Sequence, residues 1–141
     1  MFTPNGRISE ENVVDFEREI QFCVPEDYKK FLVDTNGGVL QNAMISPRRP
    51  GQLLIDCLFG LCEQSEFDLR FWLNEFTGDL PEKSLIIGSD AGGGFLLLCT
   101  EEDSAGIYYY DHSYLFSTSA DEENTYLIYP SFAELHSALI K

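Results

Sequence analysis

Positive charge is scarce in this chain. Nine Lys and Arg stand against 24 Asp and Glu over 141 residues, a formal net charge of -15 with a pI near 4.2. A surface of that sign repels phosphate backbones and anionic lipid headgroups, so neither nucleic acid nor a membrane surface is expected as a direct partner. Histidine occurs only at His112 and His136, and the four cysteines, Cys23, Cys57, Cys62 and Cys99, form no CxxC pair. A zinc site and a disulfide framework both lack their usual spacing, and unpaired structural thiols point to a reducing compartment. No apolar run approaches the roughly 20 residues needed to cross a bilayer, and MFTPNGRISEENVVDF has no basic segment leading into an apolar one. The expectation is a soluble cytoplasmic protein.

Hydrophobic residues make up 44% of the chain, enough to close a core without metal or disulfide, and the length suits one domain spanning residues 1–141. The organising stretch is Leu85 to Tyr110, LIIGSDAGGGFLLLCTEEDSAGIYYY. Its three short apolar runs, rich in β-branched and aromatic residues and separated by glycine and acidic turns, predict a strand meander. The unbroken apolarity of Phe95 to Cys99 predicts a strand covered on both faces, with helices packed on at least one side.

Helix signals flank this meander. Ser9 is placed as the N-cap of a helix whose buried stripe is Val13, Phe16 and Ile20, with Ile8 and Val13 as a hydrophobic staple. Pro25 suits the first position of a second helix, Tyr28, Phe31 and Leu32 face its core side, and Asn36-Gly37-Gly38 ends it. Val39 to Ile45 and Leu53 to Leu61 predict strands on either side of the breaker Ser46 to Gly51, with Asp56 near an edge or turn. Ser65 to Asp68 forms a capping box for a helix carrying Leu69, Trp72, Leu73 and Phe76, stopped by Gly78 to Pro81. Thr125 to Tyr129 predicts a closing strand, and Ser131 caps a last helix with Phe132, Leu135 and Leu139 on its apolar side. This order predicts an α+β domain with a mixed or largely antiparallel sheet and packed helices.

The candidate chemistry is thin. Gly88-Ser89-Asp90-Ala91-Gly92-Gly93-Gly94 lacks the Lys-Ser/Thr ending of a phosphate loop and enters a strand instead of a helix, so its glycines are turn residues, with Asp90 placed to cap the turn or to serve as an exposed binding group. Asp111-His112-Ser113 has the residue types of a hydrolytic triad, but neighbours in sequence do not make a relay and no nucleophile elbow accompanies them. No catalytic, cofactor-binding or metal-binding set follows, and a non-enzyme is expected.

The charge is uneven: residues 1–50 hold 8 acidic and 6 basic residues, residues 51–141 hold 16 and 3. Solubility accounts for such a bias, and so does an acidic face matched to a basic protein. The residues placed for binding are Glu101, Glu102 and Asp103 at a hairpin turn, Asp121, Glu122 and Glu123 in a later loop, and Tyr108, Tyr109 and Tyr110 as aromatic anchors between them.

Val24-Pro25-Glu26-Asp27-Tyr28-Lys29-Lys30-Phe31-Leu32, then Asn36-Gly37-Gly38, then Ile86 to Phe95, then Tyr126 to Leu139 with its Ser-Phe helix start follow one another in an order that resembles the SUKH superfamily of Smi/Knr-type proteins. Where many relatives have Gly-Asp or Gly-Asn before the apolar strand, this chain has Gly93-Gly94. The resemblance implies an α+β fold and, as in many bacterial members, an immunity protein that neutralises a cognate polymorphic toxin, often a nuclease. The alternative it allows is a regulatory or scaffolding module, as in the eukaryotic branch. Contact residues do not transfer, because binding surfaces in the family vary, and oligomeric state is not readable.

Overall fold

The computed structural model describes residues 2–47, 51–62, 67–75, 83–110 and 125–139. Among these residues seven strands form one sheet in sequence order, every neighbouring pair antiparallel: β1 (Phe2–Pro4), β2 (Gly38–Ile45), β3 (Leu53–Leu58), β4 (Ser84–Asp90), β5 (Phe95–Cys99), β6 (Gly106–Tyr110) and β7 (Thr125–Tyr129). Four helices accompany it among the described residues: α1 (Glu10–Ile20), α2 (Glu26–Thr35), α3 (Leu69–Glu75) and α4 (Phe132–Leu139). The α+β architecture is as expected, with the sheet wholly antiparallel among the described strands. Only β1 has no sequence signature. A three-residue segment containing Pro4 is tolerated at a sheet edge, where a missing N–H costs no ladder bond.

Local chemistry sets the helix ends. The Asn12 N–H donates to the Ser9 hydroxyl at 3.1 Å, so Ser9 caps α1 as its sequence implies. Pro25, expected at the first helical position, is instead the extended cap residue of α2 (φ -61°, ψ 151°), and having no side-chain acceptor it leaves that role to Asp27. Asp27 does more than serve its own helix. Its Oδ1 accepts the Tyr28 N–H at 2.7 Å, and its Oδ2 accepts the Ala133 N–H at 2.9 Å, so a carboxylate from α2 caps the N-terminus of α4 alongside Ser131, whose hydroxyl accepts the Glu134 N–H at 3.3 Å. Ser65 and Glu66 of the expected capping box, Phe76 and the Gly78–Pro81 stop lie outside the described residues.

The core forms where α2 and α4 meet. Phe132 packs edge-on against Tyr28 and tilted against Phe31, ring centroids 4.9 Å apart in each case, and His136 closes the cluster 5.2 Å from Phe31. That contact explains His136 as a half-buried core-edge ring. The same cluster leaves one polar atom stranded: the Tyr28 hydroxyl is buried without a hydrogen-bond partner among the described residues, and burial pushes its pKa far above the ordinary phenol value. Tyr28→Phe should therefore leave stability unchanged or raise it by about 1 kcal/mol, read from the urea midpoint, because the hydroxyl loses water on folding and gains nothing in return. A clear loss of stability would show that the hydroxyl has a partner.

Helix α4 lies against β2 as well as β6 and β7. In a flat sheet β2 and β6 would stand about 19 Å apart, whereas an eight-residue helix is only about 12 Å long, so the sheet must curl round it. Register shifts between Val39 and Ala43, Ile55 and Cys57, Ile86 and Gly88, and Ile107 and Tyr108 supply the bends. One of them corrects the reading of Asp56. It is not at an edge, since β3 runs between β2 and β4; it stands at the bulge, where its Oδ1 accepts the Ser89 hydroxyl at 2.6 Å. On the flank, Arg70 of α3 binds Glu19 of α1 through two nitrogens at 2.6 and 2.8 Å and covers the Phe16 ring at 5.2 Å.

Candidate functional site

The β5–β6 hairpin presents the acidic turn. Residues 102–104 form a single 3-10 turn, closed by the Ser104 N–H donating to the Glu101 carbonyl at 3.1 Å. Its base is anchored to β4, because both the N–H and the hydroxyl of Thr100 donate to the Lys83 carbonyl, at 3.0 and 2.7 Å. Glu102 and Asp103 are exposed and Glu101 is partly so. Carboxylates fixed on a tied turn accept hydrogen bonds from Arg or Lys with less ordering cost than those on a loose loop.

Tyr108 joins this turn. Its hydroxyl donates to the Ser104 carbonyl at 3.0 Å, and burial, with the Cys99 thiol as a lesser cause, raises its pKa, so the phenol remains a neutral donor. The ring is half-buried, and Leu127 stands directly opposite on β7 with 57% of its surface exposed. The site that the structure assembles is thus Glu101, Glu102, Asp103, Tyr108 and Leu127. Leu127 was missed because the alternation of Thr125 to Tyr129 does not say which face of the strand is covered.

Tyr109 and Tyr110 must be removed from the surface. They are 6% and 7% exposed, because β6 runs between β5 and β7 and packs on both faces. Tyr109 instead braces the glycine turn between β4 and β5. Its hydroxyl donates to Asp90 at 3.3 and 3.4 Å from the two carboxylate oxygens, while the Gly94 N–H donates to Asp90 Oδ1 at 2.6 Å. Asp90 is itself buried, so the capping role holds and an exposed binding role does not. Gly93 adopts φ +93°, and a side chain at Gly94 would collide with the Tyr109 ring, which accounts for both glycines. Asp121, Glu122, Glu123 and Asp111-His112-Ser113 lie outside the described residues.

Reactive groups do not converge here. Cys23, Cys57, Cys62 and Cys99 are all free thiols, and burial pushes Cys99 up to about 11, which keeps it protonated near neutral pH and a poor nucleophile. Among the described residues no three His, Cys, Asp or Glu side chains are grouped to hold a metal ion. No helix among them is long and apolar enough to cross a membrane. What the arrangement offers is a rigid acidic rim beside an aromatic and an aliphatic side chain, a surface able to bind a basic protein.

The profile of the SMI1 / KNR4 family (SUKH-1) matches residues 7–138. No curated protein matches the chain.

Proposed function

The chain belongs to the SMI1 / KNR4 family (SUKH-1), and from that premise we propose that it is an immunity protein that acts in the cytoplasm by binding a cognate polymorphic toxin, without catalysis of its own. The observation that carries this reading is the tied acidic turn, Glu101 to Asp103, set beside Tyr108 and Leu127 on a chain of net charge -15. Such a face suits a basic toxin domain, and a nuclease, which must itself hold a polyanion, is the class its charge fits best. Binding there would occlude the toxin's active site or hold it in an inactive conformation.

Co-expression with a candidate toxin domain encoded by an adjacent gene tests the proposal. Rescue of growth together with a stable purified complex is expected. Failure of both with folded proteins would overturn the pairing, whereas recovery of the chain in a stable signalling complex with no toxin would favour the scaffolding role.

A further inference from the structure

The outward side of the β2–β3 hairpin is an uncovered apolar face. Met44 sits directly opposite Leu54, and residues so opposed share a face of the sheet; Val39 is exposed further along β2, beyond the register shift. Val39, Met44 and Leu54 are 44%, 50% and 38% exposed, while their neighbours Leu40, Ala43, Ile45, Leu53 and Ile55 point inward and are buried. By contrast, β5 is buried along its whole length. The hairpin is therefore a place where the sheet keeps one face open and furnishes it with large apolar side chains, the composition expected at the centre of a contact rather than of a solvated surface.

Two further features define what fits there. Asp56 stands beside Leu54 on β3, at the bulge between Ile55 and Cys57, and is partly exposed; its Oδ1 is oriented by the Ser89 hydroxyl at 2.6 Å, and among the described residues its Oδ2 has no hydrogen bond or ion pair. At the hairpin's flank the exposed residues 91–93 present nearly bare backbone. That turn is fixed to the same strand by the Ala91 N–H donating to the Leu54 carbonyl at 2.9 Å and is stiffened from beneath by Asp90. The face thus combines an apolar centre, one aimed carboxylate and a rigid rim without bulky side chains. A second copy of the chain is a poor occupant, since a two-fold contact would place two Asp56 carboxylates in one interface between chains that each carry -15. A basic protein fits: an aliphatic or aromatic side chain can lie on Met44 and Leu54 while an Arg or Lys reaches Asp56.

We infer that this face holds the toxin after the acidic turn has steered it in. The inference rests on the immunity reading and divides the work between two surfaces: exposed charges at Glu101 to Asp103 set the rate of encounter, whereas apolar contact and a desolvated ion pair at Val39, Met44, Leu54 and Asp56 set the rate of escape. The surface-immobilised candidate toxin domain, inactivated by substitution, is the probe. Met44→Gln with Leu54→Gln should speed dissociation by about tenfold or more while association changes by less than about twofold. Asp56→Asn, which retains the acceptor for Ser89, should also speed dissociation. All three positions are at least partly exposed, and unchanged thermal midpoints would show that the fold is kept. Dissociation unchanged in both variants overturns the inference and leaves the immunity reading standing; a wild-type dimer dissolved by the Met44 and Leu54 substitutions also overturns it, by giving the face to a second copy. Absence of any complex with the wild-type chain overturns both.

Discussion

Reversing Glu101, Glu102 and Asp103 to lysine should slow association with the proposed partner, a basic toxin domain, by about tenfold or more at low ionic strength. The difference should shrink as salt is raised toward physiological concentration, where the screening length falls to about 8 Å. The carboxylates lie on a turn whose backbone is held at Lys83 and by Tyr108, so the variant loses an attractive field from a tied turn rather than a loose one. Dissociation should change less, because rim charges remain solvated in the complex. Reversing Asp15, Asp34 and Glu75 is the matched control: all three are exposed, and the change in net charge is identical. If both triple variants associate equally slowly, the net charge steers and the turn does not; if neither is slower, the steering surface lies elsewhere.

The second large effect concerns stability. Gly60→Ala and Asn36→Ala should each cost about 3 kcal/mol, measured as a shift of the urea or thermal midpoint. Three stretches of chain meet at this point. Asn36 ends α2 in the left-handed conformation, φ 54°, and its N–H donates to the Leu32 carbonyl at 2.8 Å. Its side chain then binds the backbone of Leu61 twice, accepting the N–H at 2.7 Å and donating to the carbonyl at 3.3 Å, while Asn5 donates to the Asn36 carbonyl at 3.0 Å. Gly60 lies so close that a methyl group would overlap the Asn36 carbonyl, a backbone atom that cannot rotate aside. The alanine at 60 forces its segment away from the end of α2. The alanine at 36 leaves backbone groups of Leu61 without their partners and puts a residue with no local hydrogen bond into the left-handed region. Wild-type stability in either variant would mean that the junction is plastic.

Much of this fold is legible in the sequence because its signals are local. Ser9 and Ser131 cap helices from three residues away, Val13, Phe16, Leu135 and Leu139 repeat at helical spacing, and Phe95 to Cys99 is apolar throughout, as a strand buried on both faces must be. The acidic turn was legible for the same reason: Glu101 to Gly106 is too polar to be strand and too short to be anything but a turn.

The site itself was only half legible. Three consecutive tyrosines give no hint of which ones reach solvent; that depends on β7 lying beside β6 and on what covers each face, and it buries Tyr109 and Tyr110 while leaving Tyr108 beside Leu127. Asp27 reads as a first-turn acid of its own helix, yet its second oxygen caps α4 by accepting from Ala133, 106 residues later. Asp56 reads as a strand interruption, and only the bulge between Ile55 and Cys57 turns it toward Ser89. The sequence by itself determined every strand and helix but β1, their order and the family, because each follows from spacing or composition within a short window. The tertiary structure alone decided which carboxylates are caps and which face outward, and which apolar side chains the sheet leaves uncovered, because exposure is set by neighbours that are close in space and distant along the chain.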